Sequence, residues 1–369
     1  MQLKFSGLRK YFELTTIFTV LALDGTTKAL AADATGWSEI PLAGETRCAD
    51  GSPYSIFVHQ GTSGKLVLDF MGGGACWNAE TCKEGSIYFR KKIPDIIGSW
   101  LPESDGIYDR TNPNNPFRND THVMIPYCTG DVHWGSADVT YEKANGEKTK
   151  IYHRGATNAK AAIDHTLANL ATGPSRIFVT GCSAGSYGSI WWTPYVKQLS
   201  PQSKIIQFGD SGAGIFTDSF RDHGLPKWNI KEAAPRWIPG LNPDEADLHQ
   251  LKSHDIYKSI SQAHPDVRLS QYNTLNDVLQ RWFYDAMGGN QFLWATQMRA
   301  NMGIISAASP NFNYYIGPWD GHCILPYKEF YGDQRTHGVG MLFPDWINSL
   351  LAESPSSNEP CDGCPEDQP

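Results

Sequence analysis

Short apolar runs alternate along the chain with longer stretches in which apolar residues recur at helical spacing. The runs rich in β-branched and aromatic residues predict strands at residues 66–70, 122–127, 177–180, 204–208, 267–272 and 313–316. Residues 156–171 and 187–199 have the spacing of helices. Strands that alternate with helices favour a mostly parallel central sheet with helices on both faces, so the pattern predicts an α/β fold.

Two further segments depart from this alternation. Residues 218–259 are rich in Trp, Pro, His and charge, and they form either an inserted loop or lid over a site or a surface excursion with no role in it. Residues 354–369 are a polar tail with two cysteines, which orders itself only with a cross-link. We find no internal repeat and no long linker in between, so residues 32–353 are predicted to form a single domain.

The N-terminal segment has the composition of an export signal. Basic residues precede the apolar run 15–23, and small residues lead up to Ala31, near which cleavage is expected. Acidic residues flank the apolar run closely, which leaves an ordinary buried helix as the alternative. We expect residues 1–31 to be a signal peptide and the protein to be secreted or periplasmic.

Charge and cysteine content narrow the class of protein. The chain has 31 Lys and Arg residues against 39 Asp and Glu residues and no basic stripe, which argues against nucleic acid as a partner. No segment beyond the N-terminus approaches the length of a membrane span. Eight cysteines are typical of an oxidising compartment. We expect the pairs Cys76–Cys82 and Cys361–Cys364; a metal half-site at the second pair lacks a second half-site.

The pentapeptide at residues 181–185, GCSAG, matches the G-x-S-x-G nucleophile elbow, in which a tight strand-to-helix turn exposes a serine hydroxyl. A β-branched run precedes it and a predicted helix follows, as the motif requires. The glycines are needed because a side chain would crowd the turn. Ser183 is therefore the candidate nucleophile of an α/β-hydrolase-like protein, and the alternative is a tight turn with an inert serine.

A second serine competes with this choice. Residues 209–214, GDSGAG, look like the nucleophile loop of trypsin-type proteases, and residues 321–323, GHC, look like their histidine segment. The order is wrong for that class, because those enzymes carry His, then Asp, then Ser. We therefore interpret Asp210 and Ser211 as a loop after a strand, near the site.

The candidate base is His322. A serine hydroxyl needs a base within hydrogen-bond reach, and the hydrolase order Ser, Asp or Glu, His places that base downstream of Ser183. Of the downstream histidines, only His322 directly follows a predicted strand; its alternative is a solvated loop histidine. The other downstream histidines are His223, His249, His254, His264 and His337.

The base needs an acidic partner on a neighbouring loop. Asp277 follows the predicted strand that precedes the His322 strand, and it is our first choice. Asp285 and Asp210 are rivals, and an Asp after a strand is as often a helix cap.

Residues 72–74, GGG, follow an early predicted strand and are suited to an oxyanion hole. A tetrahedral intermediate places negative charge on the carbonyl oxygen, and preorganised backbone N–H groups stabilise that charge. Glycines leave the approach of substrate open. A phosphate-binding loop is the rival interpretation, but no Gly-Lys-Ser/Thr follows.

An ordered set of motifs spans roughly residues 46–326. The set consists of CADGSP at 48–53, GGGACWN at 72–78, PYCTGDVH at 126–133, GCSAG at 181–185, Asp277 with Gln280, and GHC at 321–323. In these motifs the chain resembles the pectin acetylesterase family, which includes plant and bacterial pectin acetylesterases and the animal Wnt deacylase Notum. We expect a secreted bacterial member.

The resemblance implies an α/β-hydrolase fold, no metal or other cofactor, and ester hydrolysis through an acyl-enzyme. By position, it implies Ser183 as the nucleophile, Asp277 as the acid and His322 as the base.

The resemblance also implies that the backbone N–H groups of Gly73, Gly74 and Ala184 hold the oxyanion. Two positions depart from the family. Gly74 stands where an aromatic residue is common, and Ser186 stands where a second glycine is common.

These features predict a serine carboxylic-ester hydrolase that removes acetyl or other short acyl groups from a polysaccharide, with an acylated polysaccharide or a small ester as substrate. One alternative is a lipid, aryl-ester or polyester hydrolase, which needs a long apolar pocket. Another is a non-catalytic binding protein on the same fold, which has no need for Ser, Asp and His at these positions.

Overall fold

The computed structural model describes residues 36–93, 105–335, 339–352, 354 and 356–364. The expected signal peptide and the last residues of the polar tail lie outside these ranges. Within them, no helix combines the length and the apolar composition that a membrane crossing requires.

A mostly parallel sheet forms the centre of the described residues. The strands are β1 (Ser38–Leu42), β2 (Tyr54–His59), β3 (Leu66–Phe70), β4 (Thr121–Ile125), β5 (Ala137–Glu142), β6 (Lys148–His153), β7 (Arg176–Cys182), β8 (Lys204–Asp210), β9 (Leu269–Thr274) and β10 (Phe312–Gly317). Eight of them form one sheet in the order β1-β2-β4-β3-β7-β8-β9-β10, and β5 and β6 form a separate antiparallel pair. In the large sheet only β1 and β2 run antiparallel to their neighbours.

Helices cover both faces of this sheet. They are α1 (Gly155–Ala168), α2 (Ala184–Leu199), α3 (Asp218–His223), α4 (Ser253–Ala263), α5 (Val278–Ala286), α6 (Trp294–Ala308) and α7 (Phe343–Leu351). Side chains alternate along β3: Leu66 and Leu68 belong to the core that includes α1 and α2, whereas Val67 belongs to the core that includes α7. The predicted α/β fold is confirmed.

Each predicted strand and helix is present, with ends that differ by a few residues. The strands and α-helices that were not predicted are β1, β2, the β5–β6 pair, α3, α4, α5, α6 and α7. The unusual segment 218–259 contains α3, the 3₁₀ turns Leu225–Trp228 and Ile230–Ala233, and the start of α4. Leu225, Trp228 and Ile230 are buried, so this segment packs into the body of the protein.

Four disulfides connect the loops around the sheet. Both predicted pairs, Cys76–Cys82 and Cys361–Cys364, are present. The pairs Cys48–Cys128 and Cys182–Cys323 join residues 80 and 141 positions apart and were not predicted.

The carboxyl ends of the parallel strands meet at one edge of the sheet, where ligand sites of such folds lie. The loops after β3, β7, β8, β9 and β10 carry, in that order, the Gly72–74 segment, Ser183, Ser211, Asp277 and His322. The sheet therefore gathers the candidate residues from five separate parts of the chain.

Candidate active site

Ser183 lies in the tight turn between β7 and α2. Its backbone has φ 58° and ψ −121°, a conformation that residues other than glycine rarely adopt. A Cβ atom on Gly181 or Gly185 would lie 2.3 Å or 1.7 Å from the carbonyl oxygen of Phe70. Glycine is therefore required on both sides of the serine, as the nucleophile-elbow interpretation expects.

His322 and Asp277 are hydrogen-bonded partners. The Nδ1 atom of His322 lies 3.0 Å and 2.9 Å from the two carboxylate oxygens of Asp277. Asp277 is fully buried, while the His322 side chain is 14% exposed. The rivals lie elsewhere: Asp285 is exposed on α5, and Asp210 accepts backbone N–H groups instead of the imidazole.

Asp277 is also the N-cap of α5. Its Oδ1 accepts the backbone N–H groups of Leu279 and Gln280, and its Oδ2 accepts the side-chain amide of Gln280. These bonds fix the carboxylate in the orientation in which it meets the imidazole. The helix-cap interpretation is therefore correct for Asp277, and the same carboxylate also contacts the imidazole.

A disulfide ties the Ser183 turn to the His322 loop. Cys182 precedes Ser183, Cys323 follows His322, and their Cα atoms are 5.7 Å apart in the cross-linked pair. A ring nitrogen of His322 lies within 4.8 Å of both sulfur atoms. Ser183 and His322 line the same two cavities. The structure thus brings the candidate nucleophile and base to one place.

The electrostatic surroundings of His322 raise the pKa of its imidazole. Burial opposes the charge on His322, but the charge and hydrogen bond of Asp277, with the charge of Asp210, outweigh it and raise the pKa of His322. Burial raises the pKa of Asp210 itself to about 7. An imidazole beside a fixed carboxylate is the arrangement that general-base chemistry needs.

Three backbone N–H groups near Ser183 have no hydrogen-bond acceptor among the described residues. They belong to Gly73, Gly74 and Ala184. Ala184 is the first residue of α2, where the helix dipole also favours negative charge. These free donors border the cavities that Ser183 lines.

The two departures from the family pattern have structural reasons. Gly74 has φ +81°, and a Cβ atom there would lie 1.9 Å from the carbonyl oxygen of Tyr88, so this backbone excludes a side chain. Ser186 occupies space that glycines leave open, because a Cβ on Gly209 or Gly212 would lie 2.4 Å from the Ser186 side chain.

A small apolar pocket borders Ser183 and His322. Its volume is about 60 Å³. Its apolar walls are Trp77, Val132, Tyr187, Ile215, Phe216, Phe220, Trp228, Phe283, Met287 and Trp294. Phe220 and Trp228 come from the segment 218–259, which therefore forms part of the pocket wall.

A larger cleft lies on the other side of Gly74. It has a volume of about 470 Å³ and is also lined by Ser183 and His322. Its walls include five aromatic residues and the exposed Arg90, and the ring of Trp282 stacks on that of Tyr88 at 4.7 Å. The aromatic residues are Tyr88, Phe89, Trp282, Phe283 and Tyr327. Ser183 and His322 thus line both the small pocket and the larger open cleft.

The other sequence candidates have structural partners. Ser211 lines the small pocket, but its Oγ accepts the backbone N–H of Cys323. His223 contacts a backbone carbonyl, and His254 contacts Asn301. His249 lies beside Asp247, His264 is half-buried, and His337 lies outside the described residues. The clusters Cys76-Cys82-His153 and Cys182-His322-Cys323 have metal-like spacing, but all four sulfur atoms belong to disulfides.

Known proteins resemble this chain in sequence and fold. Residues 39–227, just over half of the chain, match the pectinacetylesterase family. The chain belongs to this family. It is 26% identical to pectin acetylesterase 4 of Arabidopsis thaliana over 179 residues, 46% of this chain and 41% of that protein. It is also 26% identical to the palmitoleoyl-protein carboxylesterase NOTUM of Homo sapiens over 181 residues, 47% of this chain and 35% of that protein.

These matches span less than half the length of the curated relatives. Among solved structures, the Wnt deacylase Notum from Drosophila superposes with a TM-score of 0.64 at 16% identity, over 88% of this chain and 96% of that one. This likeness establishes the α/β-hydrolase-like fold of this chain.

Proposed function

We propose that this chain is a serine carboxylic-ester hydrolase that removes acetyl or other short acyl groups from polysaccharide esters. Membership of the pectinacetylesterase family and relatives that are named as carboxylesterases support the reaction class. The small volume of the pocket beside Ser183 carries the choice of a short acyl group.

The proposed reaction begins with attack of the Ser183 hydroxyl on the ester carbonyl. The Nε2 atom of His322 takes the hydroxyl proton, while its Nδ1–H donates to Asp277 and stabilises the imidazolium. The carbonyl oxygen becomes an oxyanion, for which the N–H groups of Gly73, Gly74 and Ala184 are free.

Collapse of this intermediate breaks the bond to the leaving alcohol, and His322 returns the proton to the alcohol oxygen. The acyl group remains on Ser183. Water then attacks the acyl-enzyme with His322 as base, and the carboxylic acid leaves with the serine hydroxyl restored.

Pocket size favours a short acyl chain. An apolar protein cavity of about 150 Å³ accommodates benzene, which has six carbon atoms. A pocket of about 60 Å³ therefore has room for roughly two or three carbon atoms. Acetyl and propionyl groups fit this limit, whereas a long acyl chain needs the walls to move.

The open cleft suits a bulky leaving alcohol. Its volume is about 470 Å³, and its aromatic walls offer flat apolar faces with polar edges, on which sugar rings can lie. Arg90 adds a guanidinium that binds carboxylates in bidentate fashion. If the acyl group of the ester lies in the small pocket, the sugar of the leaving alcohol lies in this cleft.

We also propose a secreted or periplasmic location. The four disulfides among the described residues support it, because disulfides persist in oxidising compartments and are rare in the cytosol.

A series of nitrophenyl esters from acetate to octanoate tests the proposal. We expect kcat/KM to be highest at acetate or propionate and to fall with each further methylene. A maximum at octanoate would favour the lipid-ester alternative. Acetate release from acetylated pectin, xylan and alginate would then identify the polysaccharide.

A fluorophosphonate probe tests the non-catalytic alternative. We expect the wild-type protein to be labelled and Ser183→Ala to remain unlabelled, because the probe reacts with activated serines. Absence of labelling of the wild type, under conditions that label a known esterase, would favour a binding protein.

A further inference from the structure

Asp210 contacts the loop that carries His322. It is the last residue of β8 and is fully buried. Its Oδ2 accepts hydrogen bonds from the backbone N–H groups of Ile324 at 2.8 Å and Leu325 at 2.9 Å. These two residues directly follow the His322-Cys323 pair, so the carboxylate determines where the loop leaves the sheet edge.

The same short segment also contacts the serine turn. The carbonyl oxygen of Asp210 accepts the backbone N–H of Ser183 at 2.8 Å. The Oγ of the next residue, Ser211, accepts the N–H of Cys323 at 2.9 Å. Asp210 and Ser211 therefore accept hydrogen bonds from both the nucleophile turn and the base loop.

Backbone strain is concentrated at this junction. Ser183, Ser211 and Cys323 have φ values of 58°, 54° and 65°, in the left-handed region that favours glycine. Residues other than glycine keep such a conformation only where their surroundings over-determine it. The hydrogen bonds of Asp210 and Ser211, together with the Cys182–Cys323 disulfide, supply those surroundings.

We propose that Asp210, assisted by Ser211, is a positioning residue that sets the separation between the Ser183 hydroxyl and the His322 imidazole. The inference rests on the proposed esterase function. Asp210 lines neither the small pocket nor the open cleft, and it accepts no hydrogen bond from the imidazole. It acts on the reaction through the backbone of the two loops.

Two substitutions separate hydrogen bonding from charge. Asp210→Asn retains a carbonyl oxygen that can accept the N–H groups of Ile324 and Leu325. Asp210→Ala removes this acceptor and leaves both N–H groups without a partner. Asp120→Asn is the matched control, because Asp120 is a buried carboxylate that binds Arg176 and Ser63 at the opposite edge of the same sheet.

The measurement is kcat and KM for nitrophenyl acetate, with active sites counted by fluorophosphonate labelling. A displacement of about 1 Å in a catalytic group costs roughly 100-fold in rate, so we expect Asp210→Ala to lower kcat by about that factor with KM changed less than about threefold. Asp210→Asn should retain kcat within about tenfold, and Asp120→Asn within about twofold, because the acceptors and the loop positions survive.

Two outcomes overturn the positioning role. One is a folded Asp210→Ala protein that keeps its kcat. The other is an equal loss in Asp210→Asn and Asp210→Ala, which would show that charge rather than hydrogen bonding matters. Inactivity of the wild type on every ester refutes the proposed function instead.

A second variant decides the matter if Asp210→Ala does not fold. Ser211→Ala removes only the acceptor for the N–H of Cys323. This allows a smaller shift of the His322 loop than Asp210→Ala does, so we expect a roughly tenfold lower kcat. An unchanged kcat in Ser211→Ala would refute the positioning role on its own.

Discussion

Replacing Asp277 with asparagine is expected to separate two tasks of this side chain. Oδ1 accepts the N–H groups at the start of α5, and an asparagine oxygen can do the same, since Asn and Asp are similar N-caps. The amide nitrogen then takes the position of Oδ2, which now accepts from Gln280 and His322. A donor there faces the donor of Gln280, at a cost of about 1–3 kcal/mol in the free energy of unfolding.

The effect on turnover is expected to be far larger. An amide nitrogen beside Nδ1 of His322 favours the tautomer whose Nε2 carries the proton, and that nitrogen cannot accept the Ser183 proton. In serine proteases the corresponding change lowers kcat by about 10⁴-fold, or about 5.5 kcal/mol. We expect a loss of this order. Asp277 raises the pKa of His322, so in Asp277→Asn the acid limb of the pH profile of any residual activity should shift to a lower pH than in the wild type.

The assay compares the pH profile of kcat/KM for nitrophenyl acetate with the free energy of unfolding from denaturant titration. Asp285→Asn is the matched control, because Asp285 lies exposed on the same helix, and we expect its kcat to remain within about twofold since surface changes are mild. If Asp277→Asn keeps more than a hundredth of the activity, or if Asp285→Asn loses as much, the assignment of the acid is wrong.

Four other predictions follow from the described contacts. Ser183→Ala should lower kcat by several orders of magnitude, as esterase assays would show, with the thermal midpoint little changed. Gly74→Ala should yield little folded or active protein, because its Cβ would lie 1.9 Å from the Tyr88 carbonyl oxygen; circular dichroism and esterase assays check this. Met287→Ala should widen the small pocket and raise the butyrate-to-acetate ratio of kcat/KM. Each methylene that the wider pocket accommodates contributes about 0.8 kcal/mol, so the ratio should rise by up to about fourfold per methylene. Burial raises the pKa of Asp210 to about 7, so the folded state binds this proton more tightly than the unfolded state does. The free energy of unfolding should therefore fall as the pH rises from about 4 to 7, and Asp210→Asn should flatten that slope in denaturant titrations.

The buried parallel strands were predictable because their sequences are continuous apolar runs. All residues of β7 are buried, which is the pattern of a central parallel strand. The strand β1 reads SEIPL with every second residue exposed, and β5 and β6 carry charges, so their runs resemble loops. Helix α4 was hidden in a segment chosen for its unusual composition, although the spacing of Ile256, Tyr257 and Ile260 is helical.

Local motifs indicated the candidate site residues, and long-range contacts supplied the rest. The elbow around Ser183 has its own sequence signature, whereas Asp277 was one of three acidic candidates because a strand-end carboxylate has no distinctive pattern. Eight cysteines allow about a hundred pairings, so the Cys182–Cys323 pair was beyond reach. Asp210 accepts hydrogen bonds from residues more than a hundred positions away. These bonds depend on the order of the strands, about which a local sequence pattern carries no information.

The Cys182–Cys323 cross-link has a consequence for biosynthesis. Its two sulfur atoms come from opposite ends of a stretch that includes β8, β9 and the Asp277 loop, so the bond forms only after most of the chain has been made and folded. Reducing agents in the cytosol keep such thiols in the reduced form. The cross-link between the Ser183 turn and the His322 loop is therefore expected to form in an oxidising compartment rather than in the cytosol.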